Sequence, residues 1–337
     1  MTTRKFHKIQ NFQLQKGMTI PEAELGYVTF GNLSDDKSNL ILYPNSFAFT
    51  DEDTSWLIGP GRILDSDRYF IVIPNMFGNG VSSSPSNFTK PFGPGRFPSF
   101  THLDNIQAQH KLLTEVFGVE KIALIYGWSM GAQQALHWAA LYPDQVERVC
   151  AICGTARTTL HNKVFLEGVR AALIADPAFN NGAFHDRPVN GLRAVGRIYA
   201  GWALSQQFYR ERIYLRAGYT SLEDFLIRFW ESNFLKRDAN NLLSMIDTWM
   251  ASDISANENY NYDLSAALSA IKAQTIMIAS NTDLYFTSED IRNNASGISD
   301  CTFYELDTLW GHRAGNPTHD SQDEEYIKDR VADLLAR

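Results

Sequence analysis

Six short, continuous apolar segments constrain the fold of this chain more than any other feature of its sequence. These segments occupy residues 39–43, 69–73, 121–126, 148–152, 275–279 and 302–306. They lack the alternation of apolar and polar residues that marks a strand with one solvent-exposed face. Such segments are typical of parallel strands buried on both faces. Helical patterns accompany them at 106–117, 130–141 and 324–335. We therefore predict an α/β protein with a mostly parallel central sheet flanked by helices, the last helix covering one sheet edge.

The strand pattern stops between residues 155 and 264. This stretch is rich in helix-forming residues and in aromatic side chains: Trp202, Phe208, Tyr209, Tyr214, Tyr219, Phe225, Phe229, Trp230, Phe234 and Trp249. We interpret residues 155–264 as a helical lid inserted before the strand at 275–279, with residues 1–154 and 265–337 forming the core. Most of the aromatic side chains are expected to pack inside the lid, and a surplus would line a pocket or a dimer interface.

Charge and composition restrict the classes of partner. The formal net charge is -8 and the sequence pI is about 5.5, which disfavours nucleic acid and anionic membranes as partners. No apolar run approaches the roughly 18 to 20 residues of a spanning helix, and residues 1–15 lack the apolar core of a signal peptide. The chain has only three cysteines, a count that favours a reducing compartment, and the cytoplasm is therefore the expected location.

Cys150 and Cys153 have the spacing of a redox or zinc motif. They lie within the apolar run 149–153, and no second pair of cysteines or histidines stands at metal-ligand spacing. We interpret both as small core residues, and we predict neither a metal nor a cofactor.

The segment Gly127-Trp128-Ser129-Met130-Gly131 directly joins the strand at 121–126 to the helix at 130–141. A sharp strand-to-helix turn with flanking glycines holds its central serine exposed at the start of a helix, where N–H groups and the helix dipole favour negative charge. This context predicts that Ser129 is a nucleophile and that the N–H of Met130 forms half of an oxyanion hole. The other half is expected from the loop after the first apolar strand, at Ser46 or Phe47.

A nucleophilic serine needs a histidine base and an acid that orients it. Asp283 follows the strand at 275–279, and His312 follows the strand at 302–306, so both are expected at the carboxyl edge of the sheet. We predict that Asp283 and His312 complete a triad with Ser129. Asp307 is the alternative acid, whereas His319 lies in a polar stretch and is expected to be exposed.

These motifs resemble the homoserine O-acetyltransferase-like branch of the α/β-hydrolases. The matching segments occur in the family's order at residues 56–61, 67–75, 127–138, 238–240 and 310–317. The resemblance implies an α/β-hydrolase fold with a lid, a homodimer joined largely through lid helices, a tunnel to the serine and no metal.

Several positions depart from the homoserine transferases that the chain resembles. Those enzymes usually have an aspartate after the catalytic histidine, for the amino group of homoserine, and a tyrosine that helps to hold its carboxylate; this chain has Arg313 and Leu242 there. A cation would repel the ammonium group of homoserine. The elbow and the loop after the first strand also differ, and Trp128, Asn45 and Arg313 are expected to line the substrate pocket.

The departures favour the esterases of this family, which hydrolyse short-chain alkyl esters such as acetates. We therefore predict a serine carboxylic-ester hydrolase that acts on a small-molecule ester through an acyl-enzyme on Ser129. An acyl-CoA-dependent O-acyltransferase with an alcohol acceptor is the alternative. A non-catalytic binding protein is disfavoured by the intact motif, and a lyase or dehalogenase by the serine nucleophile.

Overall fold

An eight-stranded sheet forms the centre of the protein. In the computed structural model, which describes residues 3–88, 91–318 and 320–337, ten strands occur in chain order: β1 Lys5–Gln13, β2 Thr19–Phe30, β3 Leu40–Leu42, β4 Phe70–Pro74, β5 Leu124–Trp128, β6 Arg148–Ile152, β7 Phe179–Asn180, β8 Ala183–Phe184, β9 Gln274–Ser280 and β10 Cys301–Leu306. The sheet has the order β1-β2-β4-β3-β5-β6-β9-β10, and β7 and β8 form a separate hairpin.

All six predicted strands are present and lie together in this sheet. The pairs from β4 through β10 are parallel, whereas β1 pairs with β2, and β2 with β4, in antiparallel fashion. Strands β1 and β2 were not predicted from the sequence, and neither was the β7–β8 hairpin. Strands β1 and β2 lie at one side of the sheet. Ile9 and Phe12 are the buried residues of β1, and the polar residues around them hide the strand in the sequence.

Thirteen α-helices are present among the described residues. They are α1 Asp51–Thr54, α2 His102–Lys111, α3 Met130–Leu141, α4 Leu160–Ile174, α5 Val189–Ala203, α6 Gln206–Arg210, α7 Ile213–Arg216, α8 Leu222–Phe225, α9 Ser232–Leu235, α10 Ala239–Met250, α11 Leu264–Ser269, α12 Ser288–Ala295 and α13 Ser321–Leu335. Short 3₁₀ helices cover Ser55–Leu57 and Gly311–Gly315, and π-helical turns cover Leu112–Phe117 and Leu226–Glu231. Helices α4 to α11 and the β7–β8 hairpin lie between β6 and β9, where the strand pattern of the sequence stops.

Each face of the sheet packs into its own apolar core. One core includes Leu42, Val72 and Ile125 and extends into α2, α3 and the helices between β6 and β9. The other includes Ile41, Ile73 and Tyr126 and is covered by α13. Neighbouring strand residues thus enter opposite cores, as the two-residue period of a strand requires, and burial on both faces explains the lack of polar alternation.

The C-terminal helix lies on a face of the sheet and not on its edge, contrary to the expectation from the sequence. Ile327, Val331 and Leu334 of α13 are buried against the face of the sheet, and the helix contacts β6 and β9. Its apolar stripe needs a broad apolar surface, and the central strands provide more of that surface than an edge strand does. None of the helices among the described residues has both the length and the apolar composition that a membrane-spanning helix requires.

Candidate active site

Ser129 occupies a strained turn between β5 and α3. Its backbone has φ 59° and ψ -125°, and its N–H donates to the carbonyl of Ile152 at 2.9 Å. A Cβ on Gly127 would lie 2.6 Å from the nitrogen of Ala132, and one on Gly131 would lie 2.5 Å from the carbonyl oxygen of Pro44. Both glycines are therefore required by close backbone approach, and strain of this kind is a feature of functional sites.

Asp283 and His312 form a buried pair at the carboxyl edge of the sheet. Nδ1 of His312 lies 2.6 Å from Oδ2 of Asp283, and both side chains are almost fully buried. Oδ1 of Asp283 accepts the backbone N–H groups of Tyr285 and Phe286 at 3.1 and 3.0 Å. The carboxylate is thus held on both oxygens, which leaves Nε2 as the imidazole nitrogen available for proton transfer with a substrate.

Aromatic rings enclose the imidazole of His312. The ring centroids of Trp128, Tyr285 and Phe286 lie 5.1, 4.3 and 5.5 Å from its own. Nε1 of Trp128 also donates to the backbone carbonyl of His312 at 3.1 Å. The residue before Ser129 therefore fixes the position of the histidine loop. Close packing at this contact also requires Gly315, where a Cβ would lie 2.6 Å from Nε1 of Trp128.

The loop after β3 lies against the turn that carries Ser129. The hydroxyl of Ser46 donates to the backbone carbonyl of Trp128, and Ser46 and Phe47 both line the cavity at Ser129. Met130, the first residue of α3, is fully buried. The structure thus places the proposed oxyanion donors on the two segments that meet at Ser129. Asn45 faces Asn75 instead and is not among the residues that line this cavity.

A cavity of about 230 Å³ connects Ser129 and His312 with the helices between β6 and β9. Its apolar walls include Phe47, Tyr199 and Trp249, and the rings of Phe47 and Tyr199 stack at 5.8 Å. Four of the ten aromatic residues singled out in the sequence line it: Phe229, Trp230, Phe234 and Trp249. Phe229 and Trp230 lie in the π-helical turn Leu226–Glu231, a geometry that is frequent at functional sites.

Arg313 lies beside this cavity and also lines a second cavity of about 520 Å³. Its guanidinium lies 5.1 Å from the ring centroid of Phe229, and Nη2 donates to the hydroxyl of Thr318 at 3.3 Å. Burial lowers the pKa of Arg313 to about 10, so the side chain is still a cation at neutral pH. Tyr219 also lines the second cavity.

Cys153 lies next to the Asp283–His312 pair, a placement that the sequence did not indicate. It follows β6 with φ 47° and is buried. Among the described residues, Cys153, Asp283 and His312 are the one group whose ligand atoms lie close enough, within 4.8 Å, to hold a metal ion. Burial and the Asp283 carboxylate both raise the pKa of the Cys153 thiol, which disfavours the thiolate that a metal would need.

Asp307, the alternative acid, stands apart from this pair. Asp307 is exposed and accepts the side-chain amide of Asn281 at 2.6 Å. His319 lies outside the described residues.

Comparison with known proteins identifies the family. Residues 61–314 match the family model of the alpha/beta hydrolase fold, so the chain belongs to the α/β-hydrolase family and the predicted fold class is confirmed.

Individual relatives define the branch of the family. The chain is 37% identical over 327 residues to an ethyl acetate hydrolase from Pseudomonas veronii, an alignment that covers 96% of this chain and 93% of the relative. It is 31% identical to a homoserine O-acetyltransferase from Methanosalsum zhilinae, with 93% and 69% covered. The crystal structure of the acetyl esterase MekB superposes with a TM-score of 0.96 at 35% identity, covering 99% of this chain and 97% of that one. The predicted resemblance to this branch is therefore confirmed.

Proposed function

We propose that this protein is a carboxylesterase that hydrolyses short-chain acetate esters through an acyl-enzyme on Ser129. The observation that carries the proposal is the buried Asp283–His312 pair, which lies beside the same cavity as a serine in a strained strand-to-helix turn. The similarity to an ethyl acetate hydrolase and to an acetyl esterase supports the choice of substrate.

The chemistry follows from the roles of these side chains. Nε2 of His312 accepts the proton of Ser129 while Oγ attacks the ester carbonyl, and Asp283 stabilises the imidazolium through Nδ1. N–H groups of Met130 and of Ser46 or Phe47 stabilise the oxyanion. The alcohol leaves with the proton from His312. The same imidazole then activates a water molecule, whose attack on the acyl-enzyme releases acetate and restores Ser129.

The dimensions of the cavity support a small substrate. A volume of about 230 Å³ is below the usual range of roughly 300–1,000 Å³ for drug-sized ligand sites. Its aromatic walls suit the methyl group of an acetate and a short alkyl chain, both of which gain free energy when removed from water.

An O-acyltransferase that uses homoserine would share the acyl-enzyme and differ only in the second nucleophile. Arg313 disfavours it, because this residue replaces the aspartate that takes the amino group of homoserine in those enzymes, and a cation at that position repels the ammonium group. Leu242, which stands where those enzymes have a tyrosine, is buried and has no group that could bind a carboxylate.

A paired assay on the purified protein tests the function. We expect rapid hydrolysis of ethyl acetate and p-nitrophenyl acetate, and no homoserine-dependent release of CoA from acetyl-CoA. Ser129→Ala should lower kcat at least about 10³-fold while the protein stays folded, because the nucleophile is removed. Homoserine-dependent CoA release would replace the esterase with the transferase, and near-wild-type turnover by Ser129→Ala would exclude the acyl-enzyme.

We further propose that residues 155–264 act as the lid and that two copies associate through it, in the cytoplasm. Leu160 and Val164, four residues apart on α4, are apolar yet 81% and 65% exposed, which supports an interface with a second copy. The three cysteines are unpaired, as in a reducing compartment.

Sedimentation velocity tests the dimer. The double variant Leu160→Asp, Val164→Asp should sediment as a monomer, whereas Val116→Asp, which changes an exposed apolar residue outside the lid, should not affect the assembly. A wild-type protein that is monomeric at all concentrations would exclude the dimer.

A further inference from the structure

Among the residues that the structure describes, Arg313 has no acidic partner. Across residues 3–88, 91–318 and 320–337, no carboxylate lies within ion-pair distance of its guanidinium, which donates to the hydroxyl of Thr318 and lies over the ring of Phe229. The other arginine beside the cavity is paired: Nη2 of Arg237 lies 3.0 Å from Oδ1 of Asp53. Two arginines and one aspartate therefore line the cavity, which leaves one positive charge without a counter-ion in a protein of net charge -8.

A half-buried cation without a counter-ion costs free energy, because it has lost part of its hydration and gained no charged partner. A ligand carboxylate would supply that partner, and a guanidinium binds a carboxylate through two parallel hydrogen bonds. The substrate is thus the natural source of the missing charge, since the cavity that Arg313 lines also contains Ser129 and His312.

The alcohol portion of the ester is the part that approaches Arg313. The leaving oxygen must take its proton from Nε2 of His312, so the alcohol lies on the side of the histidine loop. Arg313 is the next residue of that loop, and it stands where the catalytic cavity adjoins the second one.

The second cavity limits how far an anion can extend. Asp307, Asp320 and Asp323 line it and would repel a carboxylate placed deeper inside. Each already accepts a hydrogen bond, from Asn281, Trp310 and Thr308 respectively. The anionic group is therefore expected at the boundary between the cavities, a short distance from the ester oxygen.

We propose that Arg313 recognises a carboxylate on the alcohol portion of the substrate, and that the preferred substrates are acetate esters of short hydroxy acids. This inference rests on the proposed esterase function and specifies its substrate class.

Two substrates of nearly equal size and different charge test the inference: 3-acetoxypropanoate and 3-acetoxypropanamide. We expect wild-type kcat/KM to be about 10- to 100-fold higher for the anion, the range that one hydrogen bond to a charged group supports. Arg313→Gln should remove most of this preference, chiefly through KM for the anion, and Arg313→Lys should retain part of it. Arg62→Gln removes an arginine paired with Glu324 at the surface and should leave the ratio unchanged.

Ethyl acetate has no carboxylate, so its hydrolysis by each variant distinguishes a failure of the Arg313 proposal from a failure of the esterase function. An unchanged anion-to-amide ratio in Arg313→Gln, or a wild type that favours the amide, overturns the role of Arg313 while the esterase function stands. A wild type that does not hydrolyse ethyl acetate would overturn both the esterase function and the role of Arg313. Inhibition by 3-hydroxypropanoate provides a second measure: it should be at least about 10-fold stronger than inhibition by 3-hydroxypropanamide in the wild type, and equal to it in Arg313→Gln.

Discussion

Replacing Asp283 with asparagine should inactivate the enzyme by reversing the orientation of the histidine proton. In the wild type, Oδ1 accepts two backbone N–H groups and Oδ2 faces Nδ1 of His312. Only the oxygen of an asparagine can accept those N–H groups, so its NH₂ must point at Nδ1. Nδ1 then becomes an acceptor, the proton of the neutral imidazole moves to Nε2, and Nε2 can no longer accept the proton of Ser129.

The magnitude of this effect follows from the loss of the correct tautomer and of the stabilised imidazolium. For a triad acid we expect a fall in kcat of about 10⁴-fold, which corresponds to about 5.5 kcal/mol of transition-state free energy. The fold should be retained, because the side chain keeps its size and its two bonds to the backbone. The assay is initial-rate hydrolysis of p-nitrophenyl acetate, with near-UV circular dichroism as the measure of folding.

Asp307→Asn is the matched control, since it changes the alternative acid without touching the buried pair. It should leave kcat within about twofold of the wild type. If Asp283→Asn kept activity within tenfold of the wild type, or if Asp307→Asn caused the larger loss, the assignment of the acid would be wrong.

Two further substitutions test how the site is held and how the fold responds to pH. Trp128→Phe removes the donor to the His312 carbonyl and should lower kcat about tenfold and the free energy of unfolding by about 1–3 kcal/mol. Trp138→Phe, which loses a hydrogen bond to Gln109, should lower stability and leave kcat unchanged. If Trp128→Phe and Trp138→Phe lowered kcat equally, the role of Trp128 in positioning the histidine loop would be refuted. Burial raises the pKa of Asp323 to about 6, so between pH 4 and 6 the folded state binds more protons than the unfolded state. The free energy of unfolding of the wild type should therefore fall by about 1–3 kcal/mol as the pH rises from 4 to 6. Chemical denaturation should show this loss reduced in Asp323→Asn and unchanged in Asp329→Asn, an exposed position on the same helix.

Trp128 links the chemistry of the site to a departure noted in the sequence. The elbow of this chain differs from that of the homoserine transferases that it resembles, and here the indole of Trp128 packs against the histidine loop and hydrogen bonds to it. The contact depends on Gly315, since any side chain there would overlap the indole. A substitution in the elbow and a glycine almost two hundred residues later therefore belong to one packing arrangement.

The order and type of the main elements could be read from the sequence alone. The six apolar segments became the parallel strands. Five of them lie inside the sheet, where burial on both faces leaves no polar alternation, whereas β10 is the edge strand and exposes Glu305. The helix at 130–141 has the predicted bounds, since the strained turn at Ser129 and the residues Tyr142-Pro143 limit it on both sides. Asp283 and His312 could be proposed from their positions after successive strands, because parallel strands end at the same edge.

The tertiary structure alone decided which side chains meet. The amide of Asn45 turns towards Asn75, and Cys153 lies beside Asp283. Arg313 lines two adjoining cavities, and no carboxylate of the described residues lies within ion-pair distance of its guanidinium. None of these placements has a local pattern, because each depends on how residues far apart in the chain pack in three dimensions. The apolar pattern of a chain determines which elements form and which faces are buried, whereas the contacts that define a site depend on the packing of those elements against one another.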